Sequence, residues 1–229
     1  MSETTTDALL GGRLELRQPR RGARVTMDSL LLVDFVRPAR GAVLDLGCGT
    51  GAIAIALALL EPKVRAVGLE LDEELAALAR ENAAANRVSV EIHAGDLRRP
   101  PDLGPFALVV ANPPYFADSG RGERTRANAR QERTAKLADV VAAARRFTRG
   151  RFALIYPAER VAEILALLGK GLAPRRLRFV HSVAGEPANR VLVEAHTSYR
   201  GGVSVLPPLI VHMDDRRTYT PEAAKILGR

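Results

Sequence analysis

The sequence predicts an α/β fold: a doubly wound, mostly parallel seven-stranded sheet with an antiparallel C-terminal edge and a short N-terminal hairpin. Three observations predict it. From Ala42 onward, short apolar runs alternate with helical stretches, the pattern of parallel strands joined by crossovers and covered on both faces. The first of these runs, Ala42-Val-Leu-Asp-Leu46, ends in a glycine-rich turn that opens an apolar helix. Past residue 175 the alternation gives way to two strand-like runs with only a short connection, which predicts antiparallel pairing.

The elements follow in order. Residues 1–12 read as a frayed terminus. Arg13 to Thr26 alternates loosely around Gln18-Pro-Arg-Arg-Gly22 and predicts a hairpin. Asp28 reads as the N-cap of an apolar helix from Ser29 to Val36, which stops before Pro38. After the first strand and its glycine turn, a helix runs to about Leu60. Val64 to Glu70 is a second strand, Glu73 to Ala85 an amphipathic helix, Val88 to His93 a third strand ending at Gly95-Asp96, and Phe106 to Ala111 a fourth. Leu137 to Phe147 is helical, Arg151 to Tyr156 extended and Glu159 to Leu168 helical. Arg176 to Val183 and Arg190 to Thr197 are the antiparallel pair, connected through Gly185 and Pro187. Leu209 to Met213 is a short strand, and Thr220-Pro221 opens a last helix with proline at its first position. No repeat or long linker divides the chain. Residues 1–40 are expected to form an extension packed on a single domain spanning 41–229.

Composition narrows the function classes. A chain of 229 residues can bury a complete α/β core. The longest apolar stretch, Ala52 to Leu60, is too short to cross a bilayer, and the polar, acidic first ten residues do not read as a signal peptide. Cys48 is the only cysteine, so no intrachain disulfide can form. These features predict a cytoplasmic protein with no membrane partner. Lys plus Arg is 34 against 26 Asp plus Glu, a net charge of +8, which favours a polyanionic partner. A biased base composition would explain Arg over Lys, but not the positive excess. His93, His181, His196 and His212 are scattered without metal-ligand spacing, so no metal is expected.

The glycine turn, Asp45-Leu-Gly47-Cys-Gly49-Thr-Gly51, admits two readings. Gly47-x-Gly49-x-x-Ala52 after a strand, with Glu70 downstream, matches a dinucleotide fingerprint. Asp45 tilts the reading elsewhere: its carboxylate, two residues before Gly47, repels a pyrophosphate and attracts the ammonium of a methionine moiety. The cofactor expected is therefore S-adenosylmethionine. Gly47, Gly49 and Gly51 let the backbone approach it. Glu70, closing the second strand, accepts from ribose hydroxyls. Asp96, after the third, accepts from the adenine amino group, with Leu71 and Leu97 sandwiching the ring. Any one acid here also fits a helix N-cap. Three at successive strand ends, where open α/β sheets bind ligands, favour a cofactor site. Cys48 has no activating base beside it and reads as a small residue in a tight turn.

Asn112-Pro113-Pro114-Tyr115 directly follows the fourth strand. An exocyclic amine on adenine is a weak nucleophile because its lone pair is delocalised into the ring. The Asn112 side-chain oxygen and the Pro113 carbonyl can each take one N–H, so that the lone pair points at the sulfonium methyl and charge that develops on nitrogen is offset. Proline fixes its own φ and holds the residue before it extended. The Tyr115 ring can stack on the base, worth about 1–3 kcal/mol. Asn-Pro-Pro is also ordinary turn chemistry; its place beside the glycine turn is what favours a catalytic role.

On these segments the chain resembles class I S-adenosylmethionine-dependent methyltransferases, with their Rossmann-like fold, and within them the bacterial tRNA1(Val) adenine-N6 methyltransferases. The resemblance runs from about Arg24 to Gly228. It rests on Val25-Thr-Met-Asp-Ser-Leu-Leu-Leu32, Val43 to Gly51, Asn112-Pro-Pro-Tyr-Phe116, Ala129-Arg-Gln-Glu132, Ala188 to Glu194, Leu209-Ile-Val-His212 and Tyr219-Thr-Pro-Glu222. It implies transfer of a methyl group to adenine N6 in RNA, most readily tRNA. It also implies that Asp45, the loop glycines, Glu70 and Asp96 hold the cofactor and that Asn112 to Tyr115 hold the adenine. The segment before the first strand is implied to close over the methionine end. Where many relatives carry Gly-Thr-Asp, this chain has Thr26-Met27-Asp28. Release-factor glutamine methyltransferases share Asn-Pro-Pro-Tyr but usually carry a longer helical domain in front, and about forty residues precede the first strand here. Glutamine methylation and a non-catalytic RNA-binding module stay open as alternatives. The basic segment 117–136, with Arg121, Arg124, Arg126 and Arg130, is the candidate RNA contact.

Overall fold

The structure is a computed structural model that describes residues 3–20, 24–114, 135–169 and 171–229. Tyr115, Arg121, Arg124, Arg126 and Arg130 lie outside the described residues.

The chain opens with β1 (Thr4–Leu9) and β2 (Leu14–Pro19), an antiparallel hairpin. The expectations of a frayed terminus and of a hairpin centred on residues 18–22 are both corrected. The turn is Leu10-Gly-Gly-Arg13, where Leu10, Gly11 and Gly12 all take positive φ. Glycine tolerates that conformation and a turn requires it. Alternation in β2 sends Leu14 and Leu16 into the core at 0% exposure. The turn also docks on the C terminus, since a Cβ on Gly11 would lie 2.7 Å from the Gly228 carbonyl oxygen.

Helix α1 (Met27–Val36) starts two residues earlier than expected. Its N-cap is Thr26, and Asp28 lies inside the first turn, where its carboxylate accepts from Arg190 Nε at 2.8 Å. The Asp28 carboxylate is thus spent on a partner 162 residues away in sequence and not on capping. Then follow β3 (Ala42–Leu46), α2 (Ala52–Leu60), β4 (Arg65–Glu70), α3 (Glu73–Ala85), β5 (Val90–Ala94) and β6 (Phe106–Ala111). Asp72 caps α3 by accepting from the N–H groups of Glu74 and Leu75, and Glu73 and Glu74 complement the helix dipole. The second half comprises α4 (Leu137–Phe147), β7 (Thr148–Pro157), a 3-10 turn, α5 (Val161–Leu168), β8 (Ala173–His181), β9 (Ala188–His196), β10 (Ser204–Val205), β11 (Leu209–Ile210) and α6 (Pro221–Leu227). Thr220 caps α6 through its hydroxyl, with Pro221 at the first helical position, and Gly228 closes it in the left-handed region.

Seven strands form the frame in the order β5-β4-β3-β6-β7-β9-β8, parallel from β5 to β7 and antiparallel at β7-β9 and β9-β8. The two-residue strands β10 and β11 add to β8, giving nine in all. Both sheet faces are buried. On β7, Ala153 and Ile155 join the core made with α1, α2, α6 and the hairpin, whereas Phe152, Leu154 and Tyr156 join the core made with α4 and α5. Burying a side chain such as Phe152 stabilises the fold by about 1.5–3 kcal/mol.

Glu194, on β9 at 0% exposure, anchors the C-terminal end of α1. It pairs with Arg176 at 2.9 Å, Arg175 at 3.4 Å and Arg151 at 3.5 Å. Arg176 and Arg151 in turn donate to the Phe35 and Val36 carbonyls at 2.6 Å each. These are carbonyls that a helix end leaves without intrahelical partners. Removing the one anion would leave three guanidinium groups facing each other. Glu194→Gln is therefore expected to lower unfolding free energy by roughly 3 kcal/mol, read by urea denaturation. A change within error would show that the arginines turn out to water at no cost.

Candidate active site

Chain order reverses between β3 and β6. From β3 the chain goes outward to β4 and β5, then returns to lay β6 on the other side. Open α/β sheets bind ligands at this switch point, outside the carboxyl ends of the strands. Leu46, the last residue of β3, is paired with Ala111, the last of β6. The glycine loop and Asn112 therefore leave the sheet one strand spacing apart, about 4.8 Å. Glu70 ends β4 beside them, and Asp96 follows β5. The predicted cofactor acids and Asn112 thus share one end of the sheet.

The three loop glycines differ in role. Gly47, Gly49 and Gly51 have φ of 71°, 55° and 88°, all in the left-handed region. A Cβ added to Gly47 or Gly49 would meet nothing within 4 Å, so these two line open space. One added to Gly51 would lie 3.0 Å from Ile55 and 3.2 Å from Ala79, so Gly51 lets α2 and α3 approach. The loop is tied to β4: the N–H groups of Gly47 and Cys48 donate to the Leu69 carbonyl at 2.8 and 3.1 Å. The Glu70 carboxylate accepts from Gly49 N at 2.8 Å and from Asp72 N at 3.0 Å. Cys48 fills the space above Gly68, where a Cβ would come within 2.7 Å of its sulfur. Burial, reinforced by the charges of Asp45 and Glu70, pushes its thiol well above the usual range. Cys48 is packing, as the sequence suggested.

Asp45 lies beneath the loop at 1% exposure. One carboxylate oxygen accepts from Ala54 N at 3.3 Å, at the start of α2. The other is buried with no hydrogen-bond partner among the described residues, as is the nearby Thr50 hydroxyl. Burial is the main reason its pKa is pushed up to about 7; Glu70 adds to the rise and the Ala54 N–H opposes it. Asp96 differs. Arg98 grips its two oxygens with Nε at 2.9 Å from each and Nη2 at 2.6 Å from one, which holds its carboxyl below the usual range. Leu71 is 46% exposed beside Glu70, and Leu97 is half-buried against the core.

Asn112 is half-buried, Pro113 buried and Pro114 exposed. The Asn112 Nδ2 donates to the Ser29 hydroxyl at 3.1 Å, 83 residues away. Sequence reasoning missed Ser29, although a lone hydroxyl directly before the apolar run Leu30 to Val33 was a signal. It also missed Asn82, the one polar group on the buried face of α3. Asn82 donates to the Thr50 carbonyl of the loop at 2.9 Å and to the Arg17 carbonyl of β2 at 3.0 Å, and accepts from Arg17 N at 2.9 Å. Asn86, one turn on, repeats the contact on Glu15. The hairpin is thereby held against the glycine loop.

Among the described residues no group of three or more His, Cys, Asp or Glu is placed to hold a metal ion, and no helix is long and apolar enough to cross a membrane.

Comparison with known proteins places this geometry among catalysts. The profile of the family described as "Methyltransferase small domain" matches residues 23–139. A tRNA1(Val) (adenine(37)-N6)-methyltransferase of Porphyromonas gingivalis is 33% identical over 205 residues, covering 82% of this chain and 80% of that one. A release factor glutamine methyltransferase of Vibrio cholerae is 40% identical, but over 43% of this chain and 33% of that one. Among solved structures, a predicted O-methyltransferase of Agrobacterium tumefaciens superposes with a TM-score of 0.70 at 26% identity, covering 87% of this chain and 94% of that one.

Proposed function

The chain belongs to the methyltransferase small domain family, and from that premise we propose how its own residues carry the reaction. It is an S-adenosylmethionine-dependent methyltransferase that acts on the exocyclic N6 of adenine in RNA. We assign tRNA as the RNA, the substrate class named for the relatives that cover most of the chain. The glutamine methyltransferases match only a part of it.

One observation carries the assignment of residues: Asn112 and the glycine loop emerge from paired strand ends on either side of the switch point. The cradle fits the cofactor. Gly47 and Gly49 line open space, Glu70 offers carboxylate lone pairs to ribose hydroxyls, and the buried Asp45 waits below for a cation. Asp96, fixed by Arg98, stays ionised as an acceptor for the adenine amine, with Leu71 and Leu97 against the ring. When bound, the cofactor supplies an electrophilic methyl group.

Asn112 Oδ1 and the Pro113 carbonyl each accept one N–H of the target amine. This turns the nitrogen lone pair out of conjugation and places partial negative charge where positive charge develops. Pro113 and Pro114 stiffen the turn, so the geometry is set before the base arrives. Tyr115 stacks on the base. No strong base is required, because the proton becomes acidic once nitrogen is quaternised and leaves to water. Residues 1–40 belong to the working enzyme as an extension that seats the loop, and 41–229 form the methyltransferase domain.

Incubation with labelled adenosylmethionine and either total RNA or total protein tests this reading. Label is expected in RNA and, after digestion, in N6-methyladenosine of the tRNA fraction. Label confined to protein glutamine would reverse the assignment. The same assay across salt concentrations tests the basic segment. Neutralising Arg121, Arg124 and Arg126 together is expected to flatten the salt dependence of RNA binding. An unchanged slope removes that segment from the RNA contact.

A further inference from the structure

We propose that Ser29 is a positioning residue for methyl transfer: its hydroxyl accepts from Asn112 Nδ2 and so holds the amide in place with Oδ1 able to turn to the target amine's side. The inference rests on Asn112 being the amine-holding residue. A serine hydroxyl can accept from Nδ2 or donate to Oδ1, so the target amine, which offers only N–H groups on this edge, selects the oxygen, and Ser29 supplies the partner that anchors the other end. Asn112 Nδ2 donates to Ser29 Oγ at 3.1 Å, which puts Oδ1 on the opposite side of the amide. Turned over, the amide would set N–H against N–H, and the target amine would lose an acceptor.

Three further observations support it. Ser29 is 5% exposed in a helix whose buried neighbours are Leu30, Leu31, Leu32 and Val33. A hydroxyl at such a place costs stability unless it is bonded, so the position asks for a polar partner. The helix carrying it is also fixed at both ends. Asp28 holds Arg190 of β9 at 2.8 Å, and Arg176 and Arg151 hold the last carbonyls of α1. Ser29 is therefore a rigid reference against which Asn112 is set, across 83 residues of chain.

A double-mutant cycle under single-turnover conditions tests this. Ser29→Ala is expected to lower kcat about tenfold, with cofactor Kd and the thermal midpoint close to those of the parent protein. Ser29→Thr, which keeps the hydroxyl, is expected to recover most of the loss. On an Asn112→Ala background, Ser29→Ala is expected to do nothing more, because Ser29 acts only through that amide. Full activity in Ser29→Ala beside a crippled Asn112→Ala overturns the inference alone. So do losses that multiply in the double variant, or equal losses in the folded Ala and Thr variants. Full activity in Asn112→Ala overturns the reading of the site and this inference with it.

Discussion

Asn112→Ala is expected to lower kcat about a hundredfold or more while leaving the cofactor dissociation constant nearly unchanged. The direction follows from where Asn112 stands. It leaves β6 next to the cofactor loop, and its side-chain amide donates to Ser29 of α1. Its removal should not disturb the Gly49–Glu70 and Cys48–Leu69 bonds that shape the cradle. The loss falls on the transition state, where the nitrogen lone pair must be turned and its growing positive charge offset. The adenine amine is too weak a nucleophile to compensate. Substrate affinity should suffer less, because phosphate contacts and stacking supply most of it. Calorimetry with adenosylmethionine and single-turnover methylation of tRNA separate the two effects. A variant that turns over normally would take Asn112 out of the mechanism.

Asp45→Asn is expected to have effects of opposite sign on stability and on cofactor binding. Asp45 is buried with one unpartnered carboxylate oxygen, and its pKa stands at about 7 against an ordinary 3.8. The folded protein therefore holds a proton there that the unfolded chain releases. The associated stability is fully present below about pH 4 and is lost as pH rises through 7, by on the order of 4 kcal/mol. Asparagine cannot ionise and escapes that loss. Without cofactor, Asp45→Asn is expected to melt higher than the parent at pH 8, with the difference shrinking as pH falls and vanishing below about pH 4. Cofactor binding runs the other way. A cationic ammonium above the loop favours the ionised carboxylate, so parent affinity is expected to rise between pH 6 and 7.5, with proton release. The Asn variant should bind at least tenfold more weakly at pH 7.5, with a flatter pH profile. A charge kept at a structural cost for its effect on a ligand is a common trade between stability and activity. If the variant keeps the parent's pH slope for cofactor, another group governs it.

Arg151, Arg175 and Arg176 are spent inside the fold on Glu194 and the end of α1. Part of the positive excess in the sequence is thus structural, and charge counting alone cannot tell such groups from those that face a nucleic acid. Arg190 was similarly unreadable: its partner Asp28 lies 162 positions earlier.

What the sequence determined by itself was local. Continuous apolar runs gave β3 and β6, and helical spacing gave α3 and α4, nearly to the residue, because burial on both faces or on one is written in each element's own few residues. Strand ends carrying Asp45, Glu70, Asp96 and Asn112 were legible for the same reason, and so was the glycine loop that only small residues can make. The N-terminal hairpin was misplaced because Leu14 and Leu16 show their purpose only when α2 and α3 supply the surface they bury against, and because Gly11 turns on Gly228, more than two hundred residues away. The tertiary structure alone decided the partners: Ser29 for Asn112, Asn82 for Thr50 and Arg17, Arg190 for Asp28. A hydrogen bond is specified by direction at about 3 Å, and that direction exists only once distant segments have been packed into contact.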